Sequence, residues 1–179
     1  MGVRALRAGQ TQAESRPESN GRWRTPARTV AAIAKKRKIL LGMDSSFATP
    51  VLTRPLELGA DIVMHSVTKY IGGHSDLLGG ALVVKDKELR DKLYFIQNAT
   101  GAVMGPLEAF LASRGLKTLE LRIREQSRTA MKLAEWLTSD IRVSRVLYPG
   151  LPSHPGHAIA KSQMDGAFGG MLSFELRGD

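Results

Sequence analysis

The sequence predicts an α/β domain built on a mostly parallel sheet, and three observations carry that prediction. Short apolar runs alternate with stretches of helical periodicity from about residue 30 onward. The runs "ILLGM", "DIVMHS" and "GALVV" each carry consecutive apolar residues, as buried strands do. Polar residues able to do chemistry stand just past the ends of two of these runs, at Asp44 and Lys69, where open α/β sheets bind their ligands.

Taken in order, residues 1–29 mix Gly, Pro, Ser, Asn and Arg without periodicity and are expected to form a basic, disordered leader. "TVAAIAKKRK" then reads as a short helix, with Ala32, Ile33 and Ala34 apolar and a basic last turn that suits the negative end of the helix dipole. Ile39 to Met43 is a buried strand ending at Asp44. "RPLELGA" is a short helix with Gly59 near its end, and "DIVMHS" is a second buried strand. Beyond the Lys69 loop, "GALVV" is a third strand and "DKELRDKLYFIQNA" a helix whose Leu89, Leu93 and Ile96 share one face. From Pro106 to about Ser139 the pattern is helical, broken or kinked near Gly115, with Leu107, Phe110, Leu111, Leu133, Ala134 and Leu137 at core spacing. "VSRVL" is a strand leading into a Pro/Gly-rich loop, "AIAKSQ" a short helix, and "GGMLSFEL" a last strand.

Composition narrows the functional classes. With 179 residues the chain can bury a real core, and without cysteine it can hold no disulfide, thiolate metal site or cysteine nucleophile. Its apolar runs fall far short of the roughly 20 residues a membrane helix needs, so a soluble chain without a membrane partner is expected. The net charge of +9 is concentrated in the leader: residues 1–38 hold ten Lys/Arg against two Asp/Glu, and residues 39–179 sixteen against fifteen. A nearly neutral body gives no reason to expect nucleic acid as a partner.

The stretch "HSVTKYIGGHSD" places Lys69 beside Ser66 and Thr68 and follows it with two glycines. Singly, such residues serve loops and turns. Together with Asp44 they match in kind what pyridoxal phosphate demands: a lysine amine for a Schiff base, a carboxylate to keep the pyridine nitrogen protonated, and donors for the phosphate. His154 and His157 are three apart with Pro155 between them, a spacing better suited to a loop than to a metal site, and no metal is expected. "GGHSDLLGG" lacks the spacing of a nucleotide motif and reads as a turn serving the lysine loop.

The segment "DSSFATPVLTRPLELGADIVMHSVTKYIGGHSD" resembles the signature of the Cys/Met-metabolism family of pyridoxal-phosphate enzymes. The resemblance continues through "LYFIQNATGAV", "RGLKTLELRI" and "VLYPGLPSHPGH" to "GGMLSFEL", and so covers residues 30–179. It implies part of the mostly parallel sheet of a fold-type I transferase large domain over 30–139 and the start of a smaller C-terminal domain over 140–179. It further implies that Lys69 is catalytic and carries pyridoxal 5'-phosphate as an aldimine, that Asp44 pairs with the pyridinium nitrogen, that Ser66 and Thr68 bind the phosphate, and that Ser46 lies close to the cofactor ring. The activity implied is γ-elimination on sulfur amino acids of the cystathionine γ-lyase type, with the γ-synthase reaction as the neighbouring alternative. The family setting implies a cytoplasmic homo-oligomer, a tetramer, acting on a small amino-acid substrate. Family members are about twice as long, so a truncated chain of poor activity, or an inactive one that associates with full-length subunits, is the competing expectation.

Overall fold

In the computed structural model, residues 26–178 are described, together with the backbone of two short strands before them, Val3–Leu6 (β1) and Ala13–Glu14 (β2). Those two strands lie within the segment expected to be a disordered leader, and β1 pairs antiparallel with the sheet through Val3 opposite Met43. Residues 27–29 of that segment are helical, and the rest of the expectation falls outside the described residues.

Helix α1, Ala27–Lys36, starts two residues earlier than its apolar pattern suggested and follows Pro26, whose fixed φ suits a helix entry. It lays Ala27 and Ala34 on Leu41 and Met43 of β3 (Leu40–Asp44) and on Val63 of β4 (Ile62–Ser66). Between these strands come a short helix α2, Thr49–Leu52, and a 3-10 turn, Pro55–Leu58, capped by Gly59 at φ 102°. A side chain at Gly59 would drive into Ala31 of α1, so glycine serves both the left-handed turn and the close approach.

The sheet order is β2-β1-β3-β4-β5, with β5 at Gly80–Val84. β3 and β4 are parallel, as expected, but β5 runs antiparallel to β4, and the sheet of this chain is mixed. The reason lies in the connection: a parallel return needs a crossover, usually a helix, across the sheet face. The segment from Ser66 to Gly79 instead packs Val67, Ile71 and Leu77 against Ala112 and Leu119 and turns straight back.

Helix α3, Lys87–Thr100, is capped by the Asp86 carboxylate, which accepts from the Leu89 amide at 2.7 Å. No residue of α3 is buried, and Ile96 is exposed rather than part of a core stripe. The long helical stretch divides into α4 (Pro106–Leu116) and α5 (Leu119–Ser139), breaking just after Gly115. Ala112, Ala134 and Leu137 are buried, but Leu107, Phe110 and Leu133, placed in the core by spacing, are exposed. Spacing finds a helix face; what covers that face is a tertiary matter.

β6 (Val143–Leu147) and β7 (Ser173–Leu176) form a separate antiparallel pair joined through helix α6, His157–Gln163. Tyr148 ties this part to α5: it is fully buried, and its hydroxyl donates to the Gly169 carbonyl at 2.8 Å while Gly169 N–H donates to Ser127 Oγ at 3.1 Å. Burial, with Tyr70 adding to it, pushes the Tyr148 phenol up to about 12. Among the described residues, no helix is long and apolar enough to cross a membrane.

Candidate functional site

Parallel pairing sets Asp44, the last residue of β3, opposite Met64 of β4, so both strands deliver their carboxyl ends to one edge of the sheet. The two ends are laced together. Ser45 N–H donates to the Met64 carbonyl at 2.9 Å, Ser46 N–H to Asp44 Oδ1 at 2.8 Å, and Ser66 N–H to Ser46 Oγ at 2.6 Å. Ser46 is buried, and its hydroxyl fixes the spot where β4 ends. The Ser66 hydroxyl and Asp44 Oδ2 have no hydrogen-bond partner among the described residues.

Past Ser66 the chain makes a wide π-type turn, Val67–Ile71. Gly72 N–H donates to the Val67 carbonyl and Gly73 N–H to the Lys69 carbonyl, both at 2.8 Å, and Gly73 leaves the turn at φ 75°. Val67 and Ile71 are buried against Leu77, Ala112 and Leu119, and that anchoring turns Lys69 outward. Lys69 itself has non-helical dihedrals, φ −87° and ψ −123°, and is exposed, with no hydrogen bond or ion pair from its amine among the described residues. The Thr68 hydroxyl accepts from Gly79 N–H at 3.0 Å and donates to the Gly79 carbonyl at 3.3 Å, clipping the loop shut.

A pocket of about 720 Å³ opens at this loop, lined among others by Thr68, Lys69, Tyr70, Glu108 and Gln126. Lys69 and Thr68 are thus brought to one cavity, whereas Asp44, Ser46 and Ser66 cluster at the strand ends and do not line it. Behind them His65 of β4 is buried with Nδ1 unpartnered among the described residues, and burial lowers its pKa against the opposing pull of the Ser45 backbone and the Asp44 charge.

Tyr70, Glu108, Gln126 and Arg122 were not singled out from sequence. Tyr70 stands next to Lys69 and meets Phe47 edge to face at 6.2 Å, and burial raises its pKa. The others reach the loop from α4 and α5, so no local pattern could have revealed them. His154 and His157 are engaged in their own loop: His154 Nδ1 accepts from Gly156 N–H at 3.0 Å, and His157 Nδ1 lies 2.8 Å from the Pro149 carbonyl.

Residues 25–179 match the family described as Cys/Met metabolism PLP-dependent enzyme. The chain is 54% identical over 151 residues to a cystathionine beta-lyase of Coxiella burnetii, covering 84% of this chain and 39% of that one. It is 55% identical over 148 residues to a cystathionine gamma-synthase of Mycobacterium bovis, covering 83% and 38%. A solved structure of cystathionine gamma-lyase from Lactobacillus plantarum complexed with L-serine is similar at TM-score 0.82 and 42% identity, covering 84% of this chain and 39% of that one. The chain therefore spans about two fifths of the length of these relatives.

Proposed function

The chain belongs to the Cys/Met metabolism pyridoxal-phosphate-dependent enzyme family, and from that membership we propose that it is the cofactor-lysine segment of a transsulfuration enzyme, acting on sulfur amino acids by γ-elimination of the cystathionine γ-lyase type. The observation that carries the reading is the placement of Lys69: an exposed amine, without a partner among the described residues, on a turn that starts where β4 ends, beside a parallel strand ending in Asp44. An amine, a carboxylate and a hydroxyl, with Asp44 Oδ2 and Ser66 Oγ unpartnered among the described residues, form a set of groups that suits pyridoxal phosphate. When bound, that cofactor supplies an electron sink for charge developing at the substrate Cα.

The chain's own residues divide the remaining work. With the cofactor bound, Lys69 would supply the amine that holds it and would serve as general base toward the substrate Cα proton. Asp44 would hold a proton on the cofactor's ring nitrogen by charge pairing. Ser66 offers the phosphate a hydroxyl, and Thr68 can do so by giving up its long bond to Gly79. Ser46 keeps the Ser66 backbone in place at the end of β4.

Nearly equal identity to a beta-lyase and a gamma-synthase means that this segment carries what the two share, and the γ-synthase reaction is the neighbouring alternative. The same reading assigns residues 30–139 to a cofactor-binding large domain and 140–179 to the start of a smaller one, in a cytoplasmic homo-oligomer. An inactive chain that only associates with full-length subunits is a second reading, favoured by the unburied apolar side chains of α3.

Incubating the chain with pyridoxal phosphate, reducing with borohydride and mapping the peptides tests the assignment. Label on Lys69 is expected. Label on Lys85, Lys117 or Lys132 with none on Lys69 overturns it.

A further inference from the structure

We propose that Arg122 is the positioning residue of the Lys69 loop: its guanidinium holds the two carbonyls that follow Lys69 and thereby fixes how the lysine is presented to the pocket. The clamp is a statement about this chain alone; its consequence for cofactor capture rests on the reading of Lys69 given above.

The argument begins with a deficit of donors. Within the turn, the carbonyls of Val67 and Lys69 are taken by Gly72 and Gly73 N–H. A continuing helix would serve Tyr70 and Ile71 in the same way, but the chain departs at Gly73 with φ 75° and supplies no further N–H. Buried carbonyls left without partners would cost about 1–3 kcal/mol each. Arg122, fifty-two residues along, fills the place: Nη1 donates to the Tyr70 carbonyl at 2.8 Å and Nη2 to the Ile71 carbonyl at 3.4 Å. Nη2 also donates to the Gly115 carbonyl at 2.8 Å, in the last turn of α4, and Nε to Thr118 Oγ1 at 3.0 Å. One planar fork therefore joins the lysine loop, the end of α4 and the start of α5.

Three further observations agree. Arg122 has no carboxylate partner among the described residues, so its donors are directed at these oxygens. A side chain at Gly73 would collide with the guanidinium, and one at Gly115 with the Ile71 and Gly72 carbonyls, so both glycines are accounted for by the same junction. Arg122 does not line the pocket, so it acts on the site through the backbone beside Lys69 rather than by touching a ligand. Lysine could not replace it, because a point charge on a flexible stem lacks the rigid fork that reaches the three carbonyls.

The test compares wild-type chain with R122A and R122K by two readouts. The first is amide hydrogen exchange without cofactor. In R122A the Gly72 and Gly73 amides should exchange on the order of tenfold faster, while β3 and β4 amides keep their protection. The second is the rate at which pyridoxal phosphate labels Lys69 under borohydride trapping, expected to fall on the order of tenfold. Millimolar guanidinium should restore both in R122A, and R122K should restore neither. Unchanged exchange at Gly72 and Gly73, failure of guanidinium to rescue, or wild-type behaviour of R122K would overturn the clamp. If R122A does not fold, R122K against wild type decides by the same readouts. A wild-type chain unlabelled at Lys69 refutes the cofactor reading, and the exchange arm still decides the role of Arg122.

Discussion

β3 and β4 bury Leu41, Met43 and Val63, whereas β5 and α3 leave Leu82, Val83, Tyr94 and Phe95 in contact with solvent. Both regions carry apolar runs in sequence. They differ in what packs on them. α1 covers β3 and β4 through Ala27 and Ala34, and the Lys69 loop, α4 and α5 close the neighbouring clusters; α3 has no such cover among the described residues. Apolar surface stabilises a fold only in proportion to the area removed from water, so the stabilising contacts concentrate around the candidate site, while α3 presents a surface suited to association.

The strongest way to break this comparison is truncation in each region. Leu41→Ala should cost about 2–5 kcal/mol, read from the denaturant midpoint, because it opens a cavity at a fully buried position. Phe95→Ala, at a side chain 72% exposed, should stay within about 0.5 kcal/mol and reduce self-association in light scattering. Similar losses for the two would mean that α3 is covered in solution.

Glycine substitutions sharpen the contrast at a smaller scale. Gly115→Ala presses a methyl group onto the Ile71 and Gly72 carbonyls and should cost about 1–3 kcal/mol while loosening the lysine loop. Gly101→Ala, at φ 69° with open space around it, should cost only the backbone penalty, about 1 kcal/mol. Thermal unfolding of both variants measures the difference, and an equal shift would show that the junction at Gly115 is not tight.

The smallest expected effect is titration of His65. Its folded pKa lies below the ordinary value of 6.5 because it is buried, so the folded state resists a proton that the unfolded state accepts. No contribution is felt well above 6.5; as pH falls through that value, stability declines until the lowered folded pKa is reached. His65→Gln should flatten that slope, seen in denaturant midpoints between neutral pH and pH about 5. A residual slope belongs to His154, which burial lowers in the same sense. An unchanged slope in His65→Gln would show that its surroundings accept the charged form.

Much of this molecule was legible in its sequence because the signals are local. Short apolar runs located β3, β4 and β5 and a 3.6 period located α3 to within a few residues, Gly59 marked the end of a helical turn and Gly115 a helix break, and the order Ser66, Thr68, Lys69 with two following glycines marked the turn at the site. What the local signals could not express depends on where distant segments meet. The reversal of β5 follows from how the loop packs against Ala112 and Leu119, and the exposure of Leu107, Phe110 and Ile96 follows from which faces find a neighbour. The hydroxyl of Ser46 bonds a strand end twenty residues away, and the guanidinium of Arg122 meets the Tyr70 carbonyl across fifty-two. Periodicity records how a residue faces relative to its near neighbours, whereas a hydrogen bond between remote segments exists only once the chain has folded both into place.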